Sequence, residues 1–231
     1  MATLKQLRDQ IIIDAGISGQ PLFPTTRLNR MINLAQRYVQ TNLNGLGIKK
    51  WEASDSLTLT ATPNGFAGHD VEIANLSTDC PNMLESPNSI IFIQTVDDLN
   101  NYGIAYEIDV KSFQEQLENT YLAPTLAEPA FMRLANKLFI TPYSVKGAIA
   151  YYYKAVTDLS SDSSTTEIPL EFEDFIIKKV VLDIDDILGK SQDKELAQRS
   201  LEKDMQATYE KFLGKQNELN RIKINDKVKL Q

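Results

Sequence analysis

The 231-residue sequence holds one cysteine, one histidine and one tryptophan, and each scarcity closes off some chemistry. Cys80 alone forms no internal disulfide, and Cys80 with His69 falls short of the several Cys or His ligands that a zinc site takes. A single histidine and no G-x-S-x-G phrase leave poor raw material for a Ser/His/Asp hydrolase. His69 lies in the turn-like stretch Gly65–Asp70 and is expected at a solvated surface. No G-x-x-x-x-G-K-[ST] occurs, and Gly45-Leu-Gly47 follows a helical pattern where a dinucleotide loop would follow a strand. The longest apolar runs, such as Ile90–Ile93, fall far short of the roughly 20 residues that span a bilayer. Asp9 and the lack of a small-residue cleavage site speak against a signal peptide, so the chain reads as cytoplasmic and untargeted, where Asn75-Leu76-Ser77 is no glycosylation site. No catalytic residue, cofactor or metal ligand is expected.

What is present is an ordinary core-forming composition, 42% hydrophobic and 24% charged, with its charge unevenly spread. Residues 1–50 hold seven Lys/Arg against Asp9 and Asp14, a net of +5, whereas residues 51–100 hold eight acids and no Lys or Arg. The last eleven residues return to +3. Such opposite segments suit a head-to-tail contact between subunits.

Thr3 can cap a first helix with Leu4, Leu7, Ile11 and Ala15 on one face, ended by Gly16 and Gly19. After Pro21 and Pro24, Thr25 or Thr26 opens a second, with Leu28, Met31/Ile32, Ala35, Tyr38/Val39 and Leu43 as its stripe and Arg27, Arg30 and Arg37 opposite. From Ser54 the texture turns to short strands: Leu57–Thr60, Val71–Ala74, Ile90–Val96 and Ile104–Val110, with Pro63-Asn-Gly as a turn and Asn75–Ser89 as an excursion loop. A short helix through Phe113 and Leu117 ends before Pro124. Phe131–Leu134, Lys137–Thr141 and Ile149–Val156 read as an antiparallel meander. Thr157–Thr166, almost all Ser, Thr and Asp, reads as a polar loop outside any core. Ile168-Pro169 then leads into a helix carrying Phe172, Phe175/Ile176, Val180, Ile184 and Ile187/Leu188. Ser191 is expected to cap a last helix, with Leu196/Ala197, Leu201, Met205, Tyr209 and Phe212, that runs to about Leu219. Beyond it Ile222, Ile224, Val228 and Leu230 alternate with polar residues like an unpaired strand.

Paired acids could run glycoside hydrolysis or hold a hard cation, and Asp183, Asp185 and Asp186 are the first to weigh. On a helix Asp183 and Asp186 share a face that Asp185 leaves, and the bland reading is a solvated face. The acidic chain is no general nucleic-acid binder.

The order of these pieces resembles the head-to-tail adaptor (connector) proteins of tailed bacteriophages. The resemblance is carried by Phe23-Pro24, Leu28, Ile32-Asn33 and Ala35, then Trp51, the strand phrase Lys137–Pro142, Tyr151-Tyr152-Tyr153, and Ile168-Pro169 with Phe172, and it covers residues 3–215. It implies an α+β, mainly helical fold: a four-helix bundle from an N-terminal helix pair (1–50) and a C-terminal pair (167–220), an inserted antiparallel β-rich middle (51–166), and an extended arm (221–231). It also implies a structural virion protein of neck or tail, made in the host cytoplasm: a homo-oligomeric ring, usually of about twelve subunits, under the portal protein, meeting tail proteins and continuing the channel through which genomic DNA passes without sequence-specific binding. No membrane is implied. Partner contacts are expected at Arg27, Arg30 and Arg37 and, on the arm, at Arg221, Lys223, Lys227 and Lys229. Other readings are another neck or tail ring protein, a helical interaction module, or a virion cell-wall hydrolase using Glu171/Glu173 or Asp185/Asp186. Two features depart from a minimal adaptor: the long middle region, Ser54 to Pro129, and the strand-like tail.

Overall fold

A computed structural model describes residues 1–48, 50–84, 89–97, 99–119, 121–190 and 193–228. The chain divides into two compact units, one made of residues 1–49 with 156–231 and the other of 50–155.

The first unit is helical. Helix α1, Leu4–Ala15, starts on a reciprocal Thr3/Gln6 capping box and stops where Gly16 turns left-handed at φ 62°. Helix α2, Thr25–Gly45, starts on Pro24, whose carbonyl accepts from Arg27 and Leu28, so neither threonine serves as its cap. A 3-10 turn at Leu170–Phe172 leads into α5, Glu173–Ile187, and α6 follows at Lys194–Val228. Asp193 Oδ1 accepts from Leu196 N at 2.9 Å and caps α6, while Ser191 lies outside the described residues. Helix α5 packs against α1, α2 and α6 and buries Phe175, Ile176, Val180 and Ile184.

The second unit is one eight-stranded mixed sheet. Its strands are β1 Glu52–Leu57, β2 Thr60–Phe66, β3 His69–Asn75, β4 Ile90–Val96, β5 Tyr102–Glu107, β6 Ala130–Leu134, β7 Lys137–Thr141 and β8 Gly147–Tyr153. They lie in the order β1-β8-β4-β5-β6-β7-β3-β2, antiparallel except at β5–β6. Two short helices, α3 Leu76–Asp79 and α4 Val110–Glu118, complete it. On the inward face Leu57, Ala74, Ile93, Phe131, Leu138, Ile140 and Tyr152 form one core with Leu76 and Cys80. On the outward face of β3, β6 and β7, α4 lays Phe113 among Val71, Met132 and Phe139.

This architecture corrects the expected fold. The middle is no antiparallel insertion in a four-helix bundle but a curled eight-stranded mixed sheet, and strand makes up 26% of the chain beside 42% helix. The sequence hid its edge strands, because β1 and β2 are the sheet's two edges and are mostly polar, as solvated edge strands are. Pro63-Asn64-Gly65 is not a turn but an irregularity within edge strand β2, where the register shifts and Asn64 takes φ 54°. The hairpin turns at Ala67-Gly68, both at positive φ. His69 opens β3, half-buried, and is not in a loop. Strand β8 leaves the supposed meander to pair with β1 and β4. The excursion loop holds α3, which buries Leu76, and Cys80 and Leu84 after it are buried too.

Nor do the helices close as a four-helix bundle, since α6 packs chiefly on α5 and the 3-10 turn and buries only Leu201 and Met205 among its described side chains. Segment 156–168 packs on α1 and α2 instead. Leu4 N donates to Ser164 O at 2.8 Å, and Val156, Leu159, Thr166 and Ile168 are buried, so this polar stretch belongs to a core after all. Finally, the strand-like tail is helical: α6 continues unbroken to Val228. A helix satisfies the tail's backbone groups within the segment itself, which an extended arm does not.

Candidate functional site

The expected partner residues fall on two helices of the first unit. On α2, Arg27 donates to Leu22 O at 2.9 Å and lies over the Phe23 ring, 5.2 Å from its centroid. Arg30 is exposed and makes no ion pair among the described residues. Arg37 donates to both carboxylate oxygens of Asp158, at 3.0 and 3.1 Å. Among the described residues the three are thus one free cation and two engaged ones. Arg221, Lys223 and Lys227 lie on the last turns of α6, and Lys229 lies outside the described residues.

Helix α2 earns its place through a polar stripe that sequence reading missed. Asn33, Gln36 and Gln40 point toward the 156–159 strap: Asn33 Oδ1 accepts from Leu159 N at 2.9 Å, Gln36 donates to Asn33 at 3.0 Å, and Gln40 Oε1 accepts from Val156 N at 2.9 Å. Both glutamines are fully buried; Gln40 meets the strap, whereas Gln36 donates to Asn33 and its Oε1 has no partner among the described residues, the costlier arrangement for a buried amide. The signal was the polar i, i+3, i+7 spacing inside an otherwise apolar helix, and only the strap's position gives it meaning. Arg8 ties the same strap from α1, donating to Asp162 at 3.0 Å, and holds the Asp162 carboxyl below its ordinary range.

The acids suspected of chemistry are tied up in local structure. Lys179 pairs with Asp183, Lys194 with Asp186 at 2.7 Å, and Lys190 reaches Asp185 at 3.9 Å. Glu173 is buried and accepts from Ala2 N at 2.7 Å, while Glu171 is exposed. Among the described residues no group of three or more His, Cys, Asp and Glu is placed to hold a metal ion. Tyr38, whose hydroxyl donates to Glu202 at 2.9 Å, has its pKa raised by burial and then by that carboxylate, a structural tie between α2 and α6.

In the second unit the outward face of β1, β8, β4 and β5 is the prominent surface. Register places Phe92, Gln94, Tyr102, Ile104, Ile149 and Tyr151 on that side, opposite the inward Ile93, Ala105 and Ala150. Phe92 and Tyr151 stack at 4.2 Å, while Tyr102 and Ile104 stand 69% and 66% exposed. A groove lined by Ser56, Gln94, Val96, Asn100, Tyr102 and Ile149 opens toward the β4–β5 turn.

Across the two units, the acids Asp183, Asp185 and Asp186 are held in ion pairs, and the sheet leaves Tyr102 and Ile104 exposed. A protein-family model described as SU10 adaptor protein matches residues 2–226, nearly the whole chain. The chain belongs to the SU10 adaptor protein family. That is a family of phage head-to-tail adaptors, so this SU10 adaptor has a structural role and a place in the virion neck, among other head and tail components. A comparison with curated proteins finds no match. Among the described residues no helix is long and apolar enough to cross a membrane.

Proposed function

We propose that this adaptor forms a ring of about twelve copies seated on the portal protein, passing the DNA channel on to the tail without reading base sequence. The observation that carries this is the family match over residues 2–226, which spans both units. Charge supports it: helix α2 carries three arginines and no acid, and residues 51–100 carry no cation, so each copy offers two unlike surfaces. Unlike surfaces make heterologous contacts, which form a ring when the rotation from copy to copy closes on itself. The partner residues on this reading are Arg27, Arg30 and Arg37 on α2, with Arg221, Lys223, Lys227 and Lys229 toward the chain's end.

Electron microscopy of the chain mixed with its cognate portal tests the reading. A ring stacked coaxially on the portal is the expected image. A chain that does not bind the portal under any salt condition overturns it.

A further inference from the structure

We propose that the uncovered outward face of β4, β5 and β8 seats helix α2 of a second copy of the chain. The proposal rests on the ring reading above and names the surfaces that meet. A sheet with apolar residues on both faces needs cover on both, and here α4 covers only part of one. Its Phe113 packs edge-on to Phe66 at 5.5 Å, and the Tyr106 hydroxyl, donating to Gln116 at 3.3 Å, marks the limit of that cover. Beyond this border Tyr102 and Ile104 are exposed beside Phe92, Ile149 and Tyr151, whereas the outward Val71, Met132 and Phe139 lie under α4.

Charge selects the occupant. The outward positions of β1, β4, β5 and β8 carry one charge, Glu52, and no cation. Helix α2 is the complement: 21 residues without an acid, exposing Arg30 and, one turn on, Leu34 at 54%. Residues four apart share a helix face, so arginine and leucine arrive together. Leu34 then meets Ile104, and the Arg30 guanidinium lies on the tyrosine rings, as Arg27 already lies on Phe23. Arginine and tyrosine are the residues that most often anchor such contacts. Each copy has one helix face to give and one sheet face to receive, so the contact propagates head to tail.

Sedimentation velocity on the pure full-length chain, up to about 1 mM, with electron microscopy of the associated fraction, tests this. Arg30→Glu and Ile104→Arg are each expected to weaken self-association at least tenfold, with unchanged circular dichroism because both sites are exposed. Leu34→Glu combined with Ile104→Arg restores it, since a carboxylate then stands opposite a guanidinium where Leu34 met Ile104. Single variants that associate like the parent overturn the proposal, as does a parent that stays monomeric throughout the range. Rings that persist in Ile104→Arg while a tail protein no longer binds give the face to that protein and also overturn it. In either case the portal experiment still stands for the adaptor reading. Parent rings that ignore the portal remove that reading and leave this interface.

Discussion

Asn33 grips Leu159 by both backbone groups: its Oδ1 accepts from the Leu159 amide at 2.9 Å and its Nδ2 donates to the Leu159 carbonyl at 3.3 Å. A side-chain amide offers donor and acceptor at the spacing of a peptide group, so α2 holds the strap as a strand would. Asn33→Asp keeps the acceptor but sets an oxygen against the carbonyl. It is expected to cost about 1–3 kcal/mol in urea unfolding, as is Asn33→Ala. A loss below about 0.5 kcal/mol, within the range of ordinary surface changes, would show that Gln40 and Arg37 suffice to hold the strap.

Cys80 should be inert in the folded chain. It is buried, and burial, followed by the carboxylates of Asp55 and Asp79, pushes its thiol up to about 11. The reactive thiolate is therefore scarce at pH 8. A disulfide reagent is expected to leave the native protein unlabelled for hours and to titrate the thiol at once in denaturant. Fast native labelling would reveal local opening around α3.

Ile184 sits fully buried on α5, the helix that touches α1, α2 and α6. Ile184→Ala is expected to cost about 2–5 kcal/mol through the cavity it leaves. Ile184→Asp is expected to abolish folding, because an unpaired buried charge finds no partner there. A cooperative thermal transition in Ile184→Asp would count against α5 as the centre of the helical unit.

The helices were legible because Leu4, Leu7 and Ile11, or Phe172, Ile176 and Val180, repeat at helical spacing next to explicit start and stop residues. The strap was not, because Leu159 is one apolar residue in a run of Ser, Thr and Asp, and its burial depends on amides supplied more than a hundred residues away. The edges β1 and β2 were missed for the opposite reason, having little apolar side chain to show. The outward sheet face was in view: IIFIQTV and GAIAYYY carry apolar residues at both parities, the pattern of a strand covered on both sides. The structure buries one side and leaves much of the other in water. Where a continuous apolar strand is half-exposed, the missing cover is the functional signal.

Glu72 gives the fold a pH dependence of definite sign. It is buried on β3, and desolvation raises its pKa more than the Lys146 charge lowers it. A carboxyl whose folded pKa lies above its unfolded value binds more protons when folded, so its contribution falls as pH rises from the ordinary glutamate range through the raised one. Glu72→Gln is expected to flatten the unfolding midpoint over that window and to be neutral or stabilising at pH 7. A midpoint that drops at pH 7 would mean that the attraction to Lys146 outweighs burial.

The end of α6 is the place where stability and partner binding should separate. The helix is 35 residues long, about 50 Å at 1.5 Å per residue, and its described anchors, Leu201, Met205 and Phe212, the last edge-on to Phe172 at 5.9 Å, all lie in its first twenty residues. Deleting residues 221–231 removes helical residues 221–228 and none of the described anchors. Far-ultraviolet ellipticity should fall by that small share, and the melting midpoint should hold. The deletion also removes Arg221, Lys223, Lys227 and Lys229 against the single acid Asp226. If these cations face the portal, binding of the truncated chain is weakened most at low ionic strength, where screening over about 10 Å is least effective. Unchanged portal binding at every salt concentration would take the end of α6 out of the interface and leave the α2 arginines as the cations that remain.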